Sequence, residues 1–120
     1  LIRDVPAGTG VSYGHIFKTK RPSRLAVVGI GYADGISRAL SGKISVLIDG
    51  NFYPQVGSIT MDQLLLDATD CPELEVGSVV TLLGQDGEES ITPEHWSDLS
   101  GSIPWEVLCG FKNRLPRVII

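Results

Sequence analysis

The chain has 120 residues, 42% of them hydrophobic and 20% charged, which is typical of a folded domain that buries a core and not of a disordered segment. Its formal net charge of −4 argues against a nucleic-acid surface or a polybasic membrane patch. Two distant cysteines and two isolated histidines offer neither a disulfide framework nor metal-ligand spacing. We therefore expect one domain, residues 1–120, of a reduced, cytoplasmic protein without a signal peptide or membrane span. Because patterned sequence begins almost at Leu1, we also expect a piece of a longer chain.

Short strands separated by glycine, proline and polar turns dominate the predicted secondary structure. The apolar pattern predicts strands over residues 10–19, 25–30, 44–48, 52–56, 64–68, 78–83 and 115–120. Asp49-Gly50 is a two-residue hairpin signal, and Pro54 indicates an unpaired or edge position in the return strand. The stretch 31–42 predicts a loop with helical character near 37–40, and residues 84–90 predict a polar loop.

Two short helices are predicted late in the chain. Thr92-Pro93-Glu94 combines a hydroxyl N-cap, a proline at the first helical position and an early acid, and Gly101 ends this helix. Residues 102–110 predict a second helix, which contains Trp105. Many short strands followed by these helices predict a mainly β domain, in the form of a β-barrel with one or two short helices near the C-terminus.

Two early segments have both a functional and a structural interpretation. Tyr13 lies in an alternating apolar run among small residues, so it could present its phenol to a ligand or could be a core tyrosine beside turn glycines. Tyr32 and Arg38 follow a strand covered on both faces and could line a cleft. Alternatively, Asp34-Gly35 is a simple turn and Arg38 a surface residue.

Two later segments are equally open. The loop Met61-Asp62-Gln63 could offer backbone N–H groups to an anion, or Met61 could fill the core before a turn. Trp105 could pack, or it could donate its indole N–H to a ligand near a helix start that favours phosphate. Pro104 removes one backbone donor from that helix start.

Five segments occur in one order along the chain: Val11-Ser12-Tyr13-Gly14, Gly29-x-Gly31-Tyr32-Ala33-Asp34-Gly35, Val56-Gly57-x-Ile59-x-Met61-Asp62-Gln63, Ile103-Pro104-Trp105-Glu106-Val107-Leu108-Cys109 and Arg114-Leu115-Pro116-Arg117. Each alone is unspecific, but the series resembles the C-terminal domain of alanine racemases. The resemblance covers essentially all 120 residues.

The resemblance implies a homodimer that interconverts L- and D-alanine and supplies D-alanine for peptidoglycan. Its N-terminal (β/α)₈ barrel holds pyridoxal 5′-phosphate on a lysine, and its C-terminal domain faces the cofactor of the other subunit. By match to the family motifs, Tyr13 is the base that removes the α-proton of L-alanine. Met61 binds the substrate carboxylate region through its backbone N–H, with Asp62 beside it, and Tyr32 and Arg38 belong to the substrate entryway.

Two departures from the family pattern bear on the expected site. Trp105 stands where a tyrosine often contacts the cofactor phosphate, and an indole donates one hydrogen bond with a different reach. Ser58 and Thr60 stand where arginine and cysteine are frequent. All four lysines of the chain lie outside the family's cofactor-lysine motif: Lys18, Lys20, Lys43 and Lys112. We therefore expect the isolated chain to be inactive.

Two alternatives to an alanine racemase stay open at this point. One is a racemase of broader amino-acid specificity with the same fold, because the absent barrel partly sets substrate size. The other is a non-catalytic β-barrel interaction module, for which Tyr13→Phe would leave turnover by the parent protein unchanged. A decarboxylase of the same two-domain plan is disfavoured, because Cys71-Pro72-Glu73 does not resemble the segment that contributes to its site.

Overall fold

A five-stranded antiparallel sheet is the centre of the computed structural model, which describes residues 1–12, 14 and 17–119. The strands described are β1 (Ile2–Val5), β2 (Gly10–Val11), β3 (Phe17–Lys18), β4 (Ser23–Val28), β5 (Ser45–Ile48), β6 (Asn51–Val56), β7 (Leu64–Asp67), β8 (Gly84–Asp86) and β9 (Glu89–Ile91). The order in the large sheet is β1-β4-β7-β6-β5, and β2-β3 and β8-β9 form two small sheets. Two 3₁₀ turns, Tyr32–Asp34 and Arg38–Leu40, precede β5, and helices α1 (Pro93–Ser100) and α2 (Pro104–Cys109) follow β9.

The mainly β class with two short late helices is confirmed, and the large sheet is open. Its outer strands are β1 and β5, which pair with β4 and β6 respectively and not with each other. One face of the sheet is covered by the helices and the 3₁₀ turns, so that Leu47, Leu64 and Leu66 share a core with Trp96 of α1. Burying an apolar side chain of this size contributes about 1.5–3 kcal/mol.

A buried glutamine fixes the chain around the end of β6. Gln55 Nε2 donates to the carbonyls of Val56 and Gly57 at 2.9 and 3.0 Å, and its Oε1 accepts the Gly42 N–H at 2.7 Å. The Ile59 N–H donates to Ser41 Oγ at 2.8 Å. Because buried polar groups need partners, these bonds tie the segment after the 3₁₀ turns to the segment after β6.

The Asp49-Gly50 hairpin prediction is confirmed. Ile48 pairs with Asn51, and Asp49 and Gly50 have φ of 48° and 77°, as the twist of a two-residue hairpin requires. The prediction for Pro54 is half right. Strand β6 lies inside the sheet, but its ladder with β7 begins only at Gln55, so the missing N–H of Pro54 removes no bond on that side.

The predicted strand over residues 10–19 is wrong. Strands β2 and β3 pair antiparallel with Val11 opposite Phe17, so the chain reverses direction between them. Ser12 and Gly14 have φ of 65° and 66°, in the left-handed region, which breaks the strand. The alternation that suggested one strand therefore includes residues of two separate short strands. The prediction that Tyr13 projects from a strand face concerns a residue outside the described residues.

Three predictions in the second half also need correction. Residues 78–83 form no strand, because only Thr81 makes a ladder contact, with Leu47 of β5. Residues 84–90 are the hairpin β8-β9 rather than a loop, with a turn at Gly87, whose φ is 65°. Over residues 115–119 the chain is irregular instead of extended in a sheet.

Both predicted helices are confirmed. The Thr92 hydroxyl accepts the His95 N–H at 3.2 Å, and Gly101 ends α1 with a φ of 73°. Pro104 opens α2, which ends before Gly110. In the part of the chain that the structure describes, no helix has the length and apolar character needed to span a bilayer.

The ionisation of Tyr53 in β6 makes the stability of the fold depend on pH in the alkaline range. A hydrogen bond with Cys71, burial of the hydroxyl and the negative charges of Glu73 and Asp70 raise the pKa of Tyr53 to about 12. The folded state therefore holds this proton more tightly than the unfolded chain, in which a tyrosine has a pKa of about 10. The contribution to stability is complete below pH 10 and is lost as the pH rises towards about 12.

We expect Tyr53→Phe to remove the ionisation step near pH 12 from a tyrosinate absorbance titration of the folded protein. The same variant should flatten the alkaline fall in the free energy of unfolding. Tyr32→Phe is the matched control, and it should leave the step near pH 12 in place. A step near pH 12 that survives in Tyr53→Phe would show that the raised pKa belongs to another group.

Candidate functional site

Two of the predicted segments meet through backbone hydrogen bonds. The Tyr32 N–H donates to the Thr60 carbonyl at 2.9 Å, and the Ala33 N–H donates to the Met61 carbonyl at 3.0 Å. Gly31 makes this approach possible, because a Cβ at that position would lie 2.1 Å from the Thr60 oxygen. Its φ is −154°, so space and not backbone conformation demands glycine there. The first 3₁₀ turn and the loop 60–63 therefore form one unit, called here the paired loops.

A buried carboxylate lies at the base of the paired loops. Asp34 is 4% exposed, and its Oδ2 accepts the Gly31 N–H at 3.0 Å. Its Oδ1 lies 3.3 Å from Nε of Arg114, whose Nη2 donates to Asp62 Oδ1 at 2.7 Å. The bond to Asp62 and the charge of Asp34 raise the pKa of the Arg114 guanidinium above its ordinary value. One arginine thus links an acid from each of the two loops.

The peptide geometry of the loop directs two N–H groups away from the 3₁₀ turn. The described residues contain no cis peptide, so each N–H points opposite to the carbonyl of its own peptide unit. Because the Thr60 and Met61 carbonyls face the turn, the N–H groups of Met61 and Asp62 face the other way. Neither N–H has an acceptor among the described residues. Two adjacent free N–H groups are a typical binding element for an anion.

Met61 itself is at the surface. The residue is 48% exposed, so the alternative that it fills the core is wrong. Tyr32 is 42% exposed and lines a cleft between the first 3₁₀ turn and the two helices, together with Glu106 and Val107 of α2. Tyr32, Met61 and Asp62 are therefore accessible to a ligand from outside this chain.

The structure does not join the other two predicted residues to this unit. Arg38 begins the second 3₁₀ turn and is exposed, and no ion pair or hydrogen bond of its side chain occurs within the described residues. Trp105 is 72% exposed on α2, so the packing alternative for it is wrong. Ile103 and Leu108 are also more than half exposed, which leaves this helix with an uncovered apolar surface.

The predicted base, Tyr13, lies outside the described residues, but its chain neighbours are located. A Cβ at Gly57 would lie 2.6 Å from Ser12 Oγ and 3.0 Å from Val11 Cγ1. Gly57 also has a φ of 73°, which favours glycine. Ser12, the residue before Tyr13, therefore lies against the segment that leads to Met61.

The described residues do not make a complete site for pyridoxal phosphate. Attachment of this cofactor needs a lysine amine shielded from water, and each lysine of the chain is exposed: Lys18, Lys20, Lys43 and Lys112. The indole N–H of Trp105 is a single donor for a phosphate, and α2 has only six residues. Nor do the described residues group three His, Cys, Asp or Glu side chains in a way that would hold a metal ion.

Taken together, these features define a β domain with an exposed loop whose Met61 and Asp62 N–H groups have no acceptor among the described residues. Comparison with known proteins gives the family. Residues 1–119 match the family model described as "Alanine racemase, C-terminal domain". The chain therefore belongs to the alanine racemase C-terminal domain family, as the sequence resemblance predicted.

The similar proteins are about three times as long as this chain. An alanine racemase of Prochlorococcus marinus is 76% identical over 120 residues, which are 100% of this chain and 31% of that protein. One of a Nostoc species is 57% identical, with 98% of this chain and 30% of that protein covered.

Solved structures agree with this relationship. The alanine racemase of Bacillus anthracis, solved with bound L-Ala-P, gives a TM-score of 0.92 at 39% identity and covers 100% of this chain and 30% of its own. The alanine racemase of Bartonella henselae, solved with covalently bound pyridoxal phosphate, gives a TM-score of 0.89 at 39% identity. The match covers 99% of this chain and 32% of that one.

The place of Arg114 in the site was not predicted from the sequence. It appeared only as part of a terminal motif, because its partner Asp62 is 52 positions away and no local pattern signals such a pair. Asp34 appeared only as a turn residue. If Asp34 had been predicted to be buried, a cation or several hydrogen-bond donors would have been expected beside it, because a buried carboxylate needs such partners.

We expect Gly31→Ala to lower the free energy of unfolding by about 2–3 kcal/mol, because its Cβ would meet backbone atoms that cannot move aside. Gly29→Ala is the matched control: a Cβ there has no atom within 4 Å, and it should change stability by less than about 0.5 kcal/mol. Denaturant unfolding of both variants measures the difference. Equal effects would show that the paired loops have room to separate.

Proposed function

We propose that residues 1–120 are the C-terminal domain of a longer, two-domain chain, a pyridoxal-phosphate-dependent alanine racemase that interconverts L- and D-alanine for peptidoglycan. The proposal is supported by the family match over residues 1–119 and by relatives named alanine racemase of which this chain covers about a third. The structural observation that carries it is the pair of N–H groups at two exposed residues, Met61 and Asp62, which have no acceptor among the described residues and are suited to a carboxylate.

In this proposal the chain supplies one side of a shared site in a cytoplasmic homodimer. The surface of Tyr32, Met61 and Trp105 faces the barrel of the other subunit, which would cover apolar groups that are exposed in this domain. Tyr32 and Arg38 border the path by which substrate enters, and Trp105 lies towards the cofactor phosphate.

Tyr13 is the proposed base for L-alanine. Racemisation requires a proton to leave Cα on one face and another to arrive on the opposite face, so two acid–base groups must flank this carbon. A free tyrosine has a pKa of about 10, so Tyr13 needs a neighbouring cation or hydrogen-bond donor to act near neutral pH. The proposed barrel is the source of that neighbour.

The Met61 N–H, with Asp62 beside it, holds the carboxylate end of alanine in this proposal. A fixed carboxylate restricts how the amino acid can rotate, which keeps Cα in line with the Tyr13 phenol. Pyridoxal phosphate, held elsewhere in the full protein, supplies the electron sink that makes the α-proton removable. Positioning and proton transfer are what this chain contributes.

We expect Tyr13→Phe in the full-length protein to lower deuterium incorporation from solvent into L-alanine by about 100-fold or more, the range for loss of an acid–base group. Tyr53→Phe is the matched control, because it removes one phenol from the core, and it should exchange like wild type.

Other outcomes of this exchange experiment would contradict the proposal in separate ways. Equal exchange in Tyr13→Phe and wild type would make Tyr13 structural. Exchange of larger amino acids as fast as alanine would indicate a racemase of broader specificity. Exchange of no amino acid by wild type would favour an interaction module without catalysis.

We expect the isolated chain 1–120 to catalyse no racemisation with added pyridoxal phosphate, because its lysines are exposed. Circular dichroism would first show that the fragment is folded. The full-length protein under the same conditions is the positive control, and turnover by the fragment would overturn the composite site.

A further inference from the structure

Arg114 contacts both members of the paired loops from a third segment of the chain. Its Nε faces the buried Asp34 at 3.3 Å, and its Nη2 reaches Asp62 at 2.7 Å. The planar guanidinium of arginine presents several donors in fixed directions, which allows one side chain to bind two carboxylates at once. A lysine ammonium at this position would not have two donors so spaced.

The two carboxylates depend on this contact to different degrees. Asp62 is more than half exposed, so water can replace the arginine there. Asp34 is almost fully buried and otherwise accepts only the Gly31 N–H among the described residues. Loss of Arg114 would leave a buried charge poorly compensated, which favours opening of the turn that Asp34 closes.

Opening of that turn would displace the Met61 and Asp62 N–H groups, which are the proposed contact for the substrate carboxylate. The Tyr32 and Ala33 amides of the turn hold the Thr60 and Met61 carbonyls, and those bonds set the direction of the Met61 and Asp62 N–H groups. Arg114 also holds Asp62 itself. Arg114 thus restrains this loop directly at Asp62 and, through Asp34 and the turn, at Thr60 and Met61.

We propose that Arg114 is a positioning residue that sets the affinity for the substrate carboxylate by holding the Met61-Asp62 loop against the Gly31–Asp34 turn. This inference rests on the proposed function. A positioning role differs from a purely stabilising one, because loss of Arg114 would then change substrate binding more than it changes the chemical step.

We expect Arg114→Gln in the full-length protein to raise KM for alanine by about tenfold, in the range of a weakened charged hydrogen bond, with kcat within about twofold. A change in KM alone marks binding that is equal in the ground and transition states. Arg117→Gln is the matched control, because Arg117 donates to the Phe111 carbonyl at 3.3 Å and pairs with no acid among the described residues. It should leave both constants unchanged.

The conservative and double variants separate positioning from loss of charge. Arg114→Lys keeps the charge but cannot hold both acids, so its KM should lie between those of wild type and Arg114→Gln. Combining Arg114→Gln with Asp62→Asn should cost less than the product of the two single effects, because both act on one loop. Independent, multiplicative effects would contradict the inference.

Hydrogen exchange in the full-length protein tests the same clamp without any activity. Arg114→Gln should speed exchange in a peptide covering residues 31–36, where the Tyr32, Ala33 and Asp34 amides are bonded. A peptide from β7 should keep its wild-type rate. Unchanged exchange at 31–36 overturns the inference whatever the kinetics.

The two measurements together distinguish the possible failures. Faster exchange with raised KM supports the inference. Faster exchange with KM unchanged in an active enzyme overturns it and leaves the proposed function intact. A wild type that does not act on alanine overturns the proposed function, and the substrate role of Arg114 with it.

Discussion

The burial of Asp34 is the constraint on which the arrangement of the site depends. A carboxylate that is 4% exposed needs polar partners close by. Here they are the Gly31 N–H, which donates to Asp34, and the Arg114 guanidinium, which forms an ion pair with it at 3.3 Å. These partners come from a glycine that lies against the Thr60 carbonyl and from an arginine that also binds Asp62. Compensating one charge therefore brings three distant segments of the chain together.

The partners of Asp34 also explain how the exposed loop of Met61 can hold a fixed position. Loops without tertiary bonds are mobile, but the loop of Met61 has both a backbone connection to the 3₁₀ turn and an ion pair to the C-terminal segment. The large sheet anchors the end of this loop, because β7 begins at Leu64, immediately after Gln63, and Leu64 is fully buried. The loop thus has a rigid base and an exposed tip with free N–H groups, as a binding element requires.

The elements that sequence predicted well are those fixed by neighbouring residues. The Asp49-Gly50 hairpin and the Thr92 cap follow from local backbone preferences, and both are in the structure. The strand predicted over 78–83 failed, because an apolar run does not show whether a partner strand is available, and only Thr81 finds one.

The candidate site divides in the same way. Sequence singled out the Tyr32 and Met61 segments, and the structure joins them. The ion pair that holds them was not predictable, because it links Asp62 to Arg114 across 52 positions. For Arg38 and Trp105 the roles given by family resemblance stay predictions, since the structure does not bring them onto the paired loops. The role of Tyr13 also stays a prediction, because this residue lies outside the described residues.

In the proposed function, this chain completes a site whose other half lies on a second subunit. Subunit complementation tests it most directly. A full-length Tyr13→Phe variant is mixed and reassembled with a full-length variant that lacks the cofactor lysine of the barrel. If sites are shared, each mixed dimer contains one intact site, and racemase activity returns although both parents are inactive. Reassembled mixed dimers with no activity above either parent would contradict a site shared between subunits.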